Sequence, residues 1–84
     1  MRITVVIPAL NEERTVGDVV RGALRHADEV IVVDDGSIDN TALEAFRAGA
    51  RAIMHPRRLS DYRALRTGFR SARGDIVITT GADG

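Results

Sequence analysis

The chain has 84 residues, 44% of them hydrophobic and 29% charged, which bounds it to one small domain near the lower limit for unaided folding. Its 12 basic and 12 acidic residues cancel, so neither a general nucleic-acid surface nor an anionic-membrane patch is expected. The absence of cysteine excludes disulfides and thiolate metal sites.

Arg2 to Ile7 carries a continuous β-branched run, predicted as a strand buried on both faces and ended by Pro8. That run is too short for a signal peptide, and no apolar stretch approaches the roughly 20 residues that span a bilayer. A cytoplasmic chain is the expectation. Asn11 is predicted to cap a helix, with Glu12 and Glu13 in its first turn. Val16, Val19, Val20, Ala23 and Leu24 follow at amphipathic spacing, and Gly17 and Gly22 are expected to let that helix sit close to a sheet.

A second strand is predicted from Glu29 to Val33, then a turn at Gly36 and a helix capped by Ser37 or Asp39. Its apolar face reads Ala42, Leu43 and Phe46, and Gly49 suits the position just past its end. Ala50 to Met54 reads as a third strand and Pro56 to Ser60 as loop. Tyr62, Leu65, Phe69 and Ala72 form a third helical stripe, and Ile76 to Thr80 a fourth strand. The β-α-β-α-β-α-β alternation predicts an α/β, Rossmann-like parallel sheet, poorly covered at its fourth strand.

Three polar motifs directly follow predicted strands: Pro8-Ala9-Leu10-Asn11-Glu12-Glu13, Asp34-Asp35-Gly36-Ser37 and Gly81-Ala82-Asp83-Gly84. Parallel strands gather all three on one edge, where open α/β sheets bind ligands. Helices starting there favour an anionic group such as a diphosphate. The glycine-rich dinucleotide fingerprint and the P-loop are both absent. Carboxylates repel phosphates, so acidic loops would meet base and ribose donors or hold a bridging divalent cation.

These residues resemble the start of family 2 glycosyltransferases, with the dolichol-phosphate mannosyltransferase-like enzymes the nearest subgroup. The likeness runs through Val5 to Glu13 and Val32 to Thr41, then Ala64 to Phe69 and Ala72 to Val77, in order and at the family's spacing. It spans the whole chain but only roughly the first third of the family's catalytic domain. It implies the N-terminal part of a GT-A fold, and inverting transfer of a sugar from a nucleotide-diphosphate donor of UDP or GDP type.

The resemblance also implies roles for particular residues. Pro8, Ala9, Leu10, Asn11 and Glu12 would line base and ribose. Asp35 would accept a hydrogen bond from a base N–H, and Asp34 would support its loop. The family's Asp-x-Asp element, which meets ribose and Mg²⁺ or Mn²⁺, falls on Gly81-Ala82-Asp83, so Asp83 is the single carboxylate left to bind nucleotide and metal. Asp61 departs from a basic loop of the family. No catalytic base is assigned, and sugar transfer by these residues alone is not expected. A polyprenyl phosphate acceptor would place the full enzyme peripherally at a membrane, and a partner chain would be a second way to complete the domain.

Other readings stay open. All 12 basic residues are arginine, which suits phosphate recognition and equally follows from GC-rich codon usage. Arg63, Arg66, Arg70 and Arg73 read as a solvated stripe, while Arg57 and Arg58 lie in a loop on the ligand edge. His26 and His55 are isolated in the sequence, with no metal or catalytic role expected. A different class of function is a non-catalytic interaction domain that binds no nucleotide and docks through its fourth strand. A nucleotidyltransferase fits the fold, but the first loop lacks the glycine- and lysine-bearing character of such enzymes.

Overall fold

The computed structural model describes residues 1–83; Gly84, the end of the third motif, lies outside the described residues. Four strands, β1 (Ile3–Ala9), β2 (Glu29–Asp34), β3 (Arg51–Met54) and β4 (Ile76–Thr79), alternate with helices α1 (Val16–Leu24), α2 (Thr41–Arg47) and α3 (Asp61–Ser71). The sheet is wholly parallel in the order β3-β2-β1-β4. Side chains alternate across the central strands. Val5, Ile7, Val30 and Val32 pack with Val16 and Val20 of α1 and Ala45 of α2 on one face. Ile31 and Val33 pack with Ala64 of α3 on the other.

Pro8 does not end β1, which runs on to Ala9 with Pro8 in register with Val33. Backbone direction explains its tolerance. The carbonyls of Ile3 and Ala9 accept from Asp28 and Asp35 on the β2 side, while those of Arg2 and Val6 accept from Ile76 and Thr80 on the β4 side. Pro8 therefore turns its missing N–H toward β4, just beyond the last bond of that ladder.

Asn11 does not cap α1, which begins at Val16 after Thr15. Asn11 instead adopts a left-handed φ of 54° and serves a loop-to-loop contact. Ser37 does not cap α2 either, because its hydroxyl is taken by the Asn11 amide. The cap residue is Asn40, and Asp39, one residue earlier, accepts from the Thr41 amide. Gly49 does follow the end of α2, with φ of 111°.

The inward faces of α2 and α3 differ from expectation. The buried residues are Thr41 and Ala45 in α2, with Leu43 43% and Phe46 68% exposed. In α3 they are Ala64 and Gly68, with Tyr62 72% and Phe69 48% exposed. α3 lies so near β1 that a β-carbon on Gly68 would strike the Val6 side chain, so small residues face the sheet. Gly17 and Gly22 have no such role: a β-carbon on the first meets only the Arg21 side chain, and on the second nothing. β4 pairs with β1, and Ile76, Val77 and Ile78 stay exposed, as its predicted poor cover implied.

Candidate functional site

The three motifs meet at the carboxyl edge of the sheet. The loop after β1 is bonded to the loop after β2 at several points. Asn11 N–H donates to Ser37 Oγ (2.8 Å), and Asn11 Oδ1 accepts from Ile38 N–H (2.9 Å). Glu12 N–H donates to Thr41 Oγ1 (2.9 Å), and Glu13 N–H to Asp39 Oδ2 (3.3 Å). The segment after β4 joins them where Thr15 Oγ1 donates to the Ala82 carbonyl at 2.7 Å, with Ala82 buried.

Between these loops opens a cleft of about 340 Å³, lined by Pro8, Ala9, Leu10, Glu12, Arg58, Asp61, Gly81, Ala82 and Asp83. Five of the predicted residues, Pro8, Ala9, Leu10, Glu12 and Asp83, are thus on its wall. Asn11, Asp34 and Asp35 are not; Asn11 and Asp34 bond to Ser37 and Ile38 of the loop after β2, and Asp35 to His55 and Leu59. Another hollow, of about 330 Å³, lies on the outer face of α3 among Tyr62, Leu65, Arg66, Phe69 and Arg70. It holds no carboxylate and none of the strand-edge motifs.

Asp34 and Asp35 are each only 2% exposed. Asp34 Oδ1 accepts from the Ser37 amide at 2.9 Å, which is a loop-supporting contact. Asp35 Oδ1 pairs with His55 Nδ1 at 2.8 Å and accepts from the Leu59 amide at 3.0 Å. Asp35 Oδ2 is buried with no partner, the one such side-chain atom among the described residues. Burial pushes this carboxyl up, but the His55 ring, the Leu59 amide and the Arg58 guanidinium together hold it below its ordinary value. It is therefore a carboxylate at neutral pH, with one oxygen still lacking a donor.

His55, expected to stand alone, is the residue that sequence reasoning missed. Its Nε2 lies 2.8 Å from Thr67 Oγ1 of α3, so both ring nitrogens are engaged. No local pattern marks it: His55 and Asp35 are neighbours because Met54 is in register with Asp34, which brings the residues just past the two strand ends together. His26 is exposed beyond α1.

The cleft carries three carboxylates, Glu12, Asp61 and Asp83, against the single guanidinium of Arg58. An unaccompanied diphosphate would be repelled by that balance. Among the described residues, no three acidic, histidine or cysteine side chains gather closely enough to cage a metal. Mg²⁺ commonly binds through one or two carboxylates plus substrate phosphates, keeping several waters. Asp83 fits that mode, as a ligand to a cation arriving with a diphosphate, and no preformed metal centre exists among these residues.

A family model described as glycosyl transferase family 2 matches residues 4–84. The chain belongs to glycosyl transferase family 2. It is 34% identical over 93 residues to the undecaprenyl-phosphate 4-deoxy-4-formamido-L-arabinose transferase of Pseudomonas fluorescens, covering 96% of this chain and 27% of that protein. It is 37% identical over 92 residues to the glucosyl-3-phosphoglycerate synthase of Mycolicibacterium paratuberculosis, covering 96% and 28%.

Among solved structures, the Mycobacterium tuberculosis glucosyl-3-phosphoglycerate synthase bound to uridine diphosphate superposes with TM-score 0.84 at 36% identity, over 99% of this chain and 34% of that one. The same enzyme with Mn²⁺, uridine diphosphate and glucosyl-3-phosphoglycerate gives TM-score 0.81 at 36% identity, over 96% and 33%. It has also been solved with Mg²⁺ and uridine diphosphate. The family 2 chain described here spans about a third or less of the length of these relatives, and its parallel sheet is that of their GT-A fold. No helix of its described residues is long and apolar enough to cross a membrane.

Proposed function

We propose that this chain forms the donor site of a family 2 glycosyltransferase and binds the nucleotide of a nucleotide-diphosphate sugar. The observation that carries the reading is Asp35 Oδ2, a buried anionic oxygen with no donor, at the strand edge where the loops converge. A base N–H reaching it, once the atoms that cover it move aside, would relieve the cost of an unpaired buried acceptor. Pro8, Ala9, Leu10 and Glu12 would line the base and ribose pocket, with Asn11 holding their loop to Ser37 and Ile38 and Asp34 fixing the turn at Ser37. Arg58 would face diphosphate oxygens.

Mg²⁺ or Mn²⁺, when bound, supplies positive charge against the departing diphosphate, and Asp83 is the side chain placed to hold it. The relatives solved with uridine diphosphate favour a uridine donor over a guanosine one. The undecaprenyl-phosphate transferase relative favours a polyprenyl phosphate acceptor, bound by regions outside these residues, and a site peripheral to a membrane. Sugar transfer would need those further regions, in the same chain or in a partner.

Thermal unfolding with uridine and guanosine diphosphates, each with and without Mn²⁺, tests the reading. Ligand at about 100 times its Kd adds roughly 2.7 kcal/mol, a rise of several degrees for a domain of this size. A rise with uridine diphosphate that grows with Mn²⁺ is expected. A cooperative transition unmoved by any nucleotide would instead support the second reading, an interaction domain docking through the exposed β4 edge, where Ile76, Val77 and Ile78 face solvent.

A further inference from the structure

We infer that His55 is the positioning residue of this donor site: its ring and the Leu59 amide occupy Asp35 Oδ1, leaving Oδ2 as the oxygen that takes a ligand N–H. The inference rests on the donor-site reading above and adds the device that orients its base-reading carboxylate.

The geometry has few alternatives. His55 and Asp35 are neighbours because the β2–β3 register places them together past the strand ends. The pair is buried, with the His55 side chain 9% and the Asp35 side chain 2% exposed. Asp35 is anionic, so His55 Nδ1 must carry the proton that bridges the 2.8 Å gap. Thr67 Oγ1 then adapts to Nε2, donating to a neutral ring or accepting from a charged one. In either charge state the imidazole is held at both edges. Two donors on Oδ1 stop the carboxylate from turning, and the Arg58 guanidinium acts on its charge.

A fixed bare carboxylate oxygen selects by hydrogen-bond direction. It accepts from an imide N–H, such as that of uracil, and opposes the lone pair that cytosine presents at the equivalent ring position. His55 should therefore control the preference for uridine over cytidine diphosphate, not binding in general.

Two substitutions separate positioning from packing. The His55→Asn amide nitrogen falls near the place of Nδ1 and keeps the donor to Asp35. The His55→Gln amide nitrogen falls near Nε2 and keeps only the Thr67 contact. Titration calorimetry of the chain with uridine and cytidine diphosphates in Mn²⁺ should show a uridine preference in the wild type. His55→Asn should keep it within about threefold, and His55→Gln should lose about tenfold or more in uridine diphosphate affinity alone. Equal losses in both variants, or an unchanged preference in folded His55→Gln, would overturn the inference and leave the donor site standing. No binding of uridine diphosphate to wild type would reject the donor site itself, and the inference with it.

Nitrogen-15 spectra of the wild-type imidazole test the same point should the variants not fold. They should show a protonated Nδ1 that shifts with saturating uridine diphosphate and hardly moves with cytidine diphosphate. A bare Nδ1, or identical responses to the two nucleotides, overturns the inference.

Discussion

Gly68 of α3 rests against Val6 of β1 with no room between them for a methyl group. This contact sets the distance between helix and sheet, and so holds up Thr67, the neighbour that engages His55. Alanine is the better helix former by about 1 kcal/mol, yet overpacking a close contact costs about 1–3 kcal/mol. Gly68→Ala is therefore expected to lower the melting temperature by several degrees. Gly22→Ala is the opposite case, in α1 with nothing within 4 Å of the new carbon. It should stabilise by about 0.5–1 kcal/mol, and paired thermal melts check both signs.

At the opposite end of the sheet, Glu29 gathers three donors. Thr4 Oγ1 lies at 2.9 Å, an Arg51 guanidinium nitrogen at 2.6 Å and the Arg73 amide at 3.0 Å. Burial pushes the Glu29 carboxyl up, and these three partners outweigh it and hold the value low. A carboxyl lowered on folding adds stability that is complete above its unfolded value, about 4.3, and is lost as pH falls through the folded one. Asp35 and Asp39 are shifted the same way, so acid should unfold the chain progressively below about pH 4. Glu29→Gln should cost about 1–2 kcal/mol at pH 7 and flatten the acid limb, seen in urea midpoints between pH 3 and 7. An acid limb unchanged in the variant would show that Glu29 carries none of this dependence.

Three of the strands and their order of appearance were legible because the β-branched runs Ile3 to Ile7, Val30 to Val33 and Ile76 to Thr80 leave few other assignments, although Pro8 did not mark the end of the first. The faces of α2 and α3 were not. Periodicity selected the largest apolar residues, Leu43, Phe46, Tyr62 and Phe69, whereas a helix held close to the sheet turns Ala45, Ala64 and Gly68 inward. Asn11 has the composition of a cap, and only its partners across the loop, Ser37 and Ile38, reveal its other use. The ligand edge was readable from motif positions alone. The engagement of Asp35 by His55 required the strand register, which no local pattern encodes.

β4 carries a second consequence of that packing. Its outer backbone edge and the side chains of Ile76 (41% exposed), Val77 (39%) and Ile78 (49%) form an open, uncharged margin. Such edges template strand pairing between molecules. Sedimentation velocity should show association that rises with concentration, and Ile78→Lys should suppress it while leaving nucleotide binding unchanged. Monomeric behaviour of the unaltered chain at about 100 µM would mean that the strand is protected by means other than its sequence.

Gly81 offers the most direct test of how the cleft handles charge. A β-carbon there would stand 3.3 Å from Asp83 Oδ1, so Gly81→Asp places two carboxylates side by side on the exposed wall. Without a cation they repel, and the free protein should be neutral to slightly less stable. With Mn²⁺ they form a two-carboxylate mount facing the diphosphate, and each added oxygen ligand strengthens a hard-cation site. Uridine diphosphate affinity measured by calorimetry should rise about tenfold in Mn²⁺ and fall in chelator, widening the metal dependence from both sides. Equal affinity gains with and without Mn²⁺ would mean that residue 81 acts on the nucleotide directly. No change in either condition would place the cation away from Asp83 and leave the single guanidinium of Arg58 as the cleft's only counter-charge.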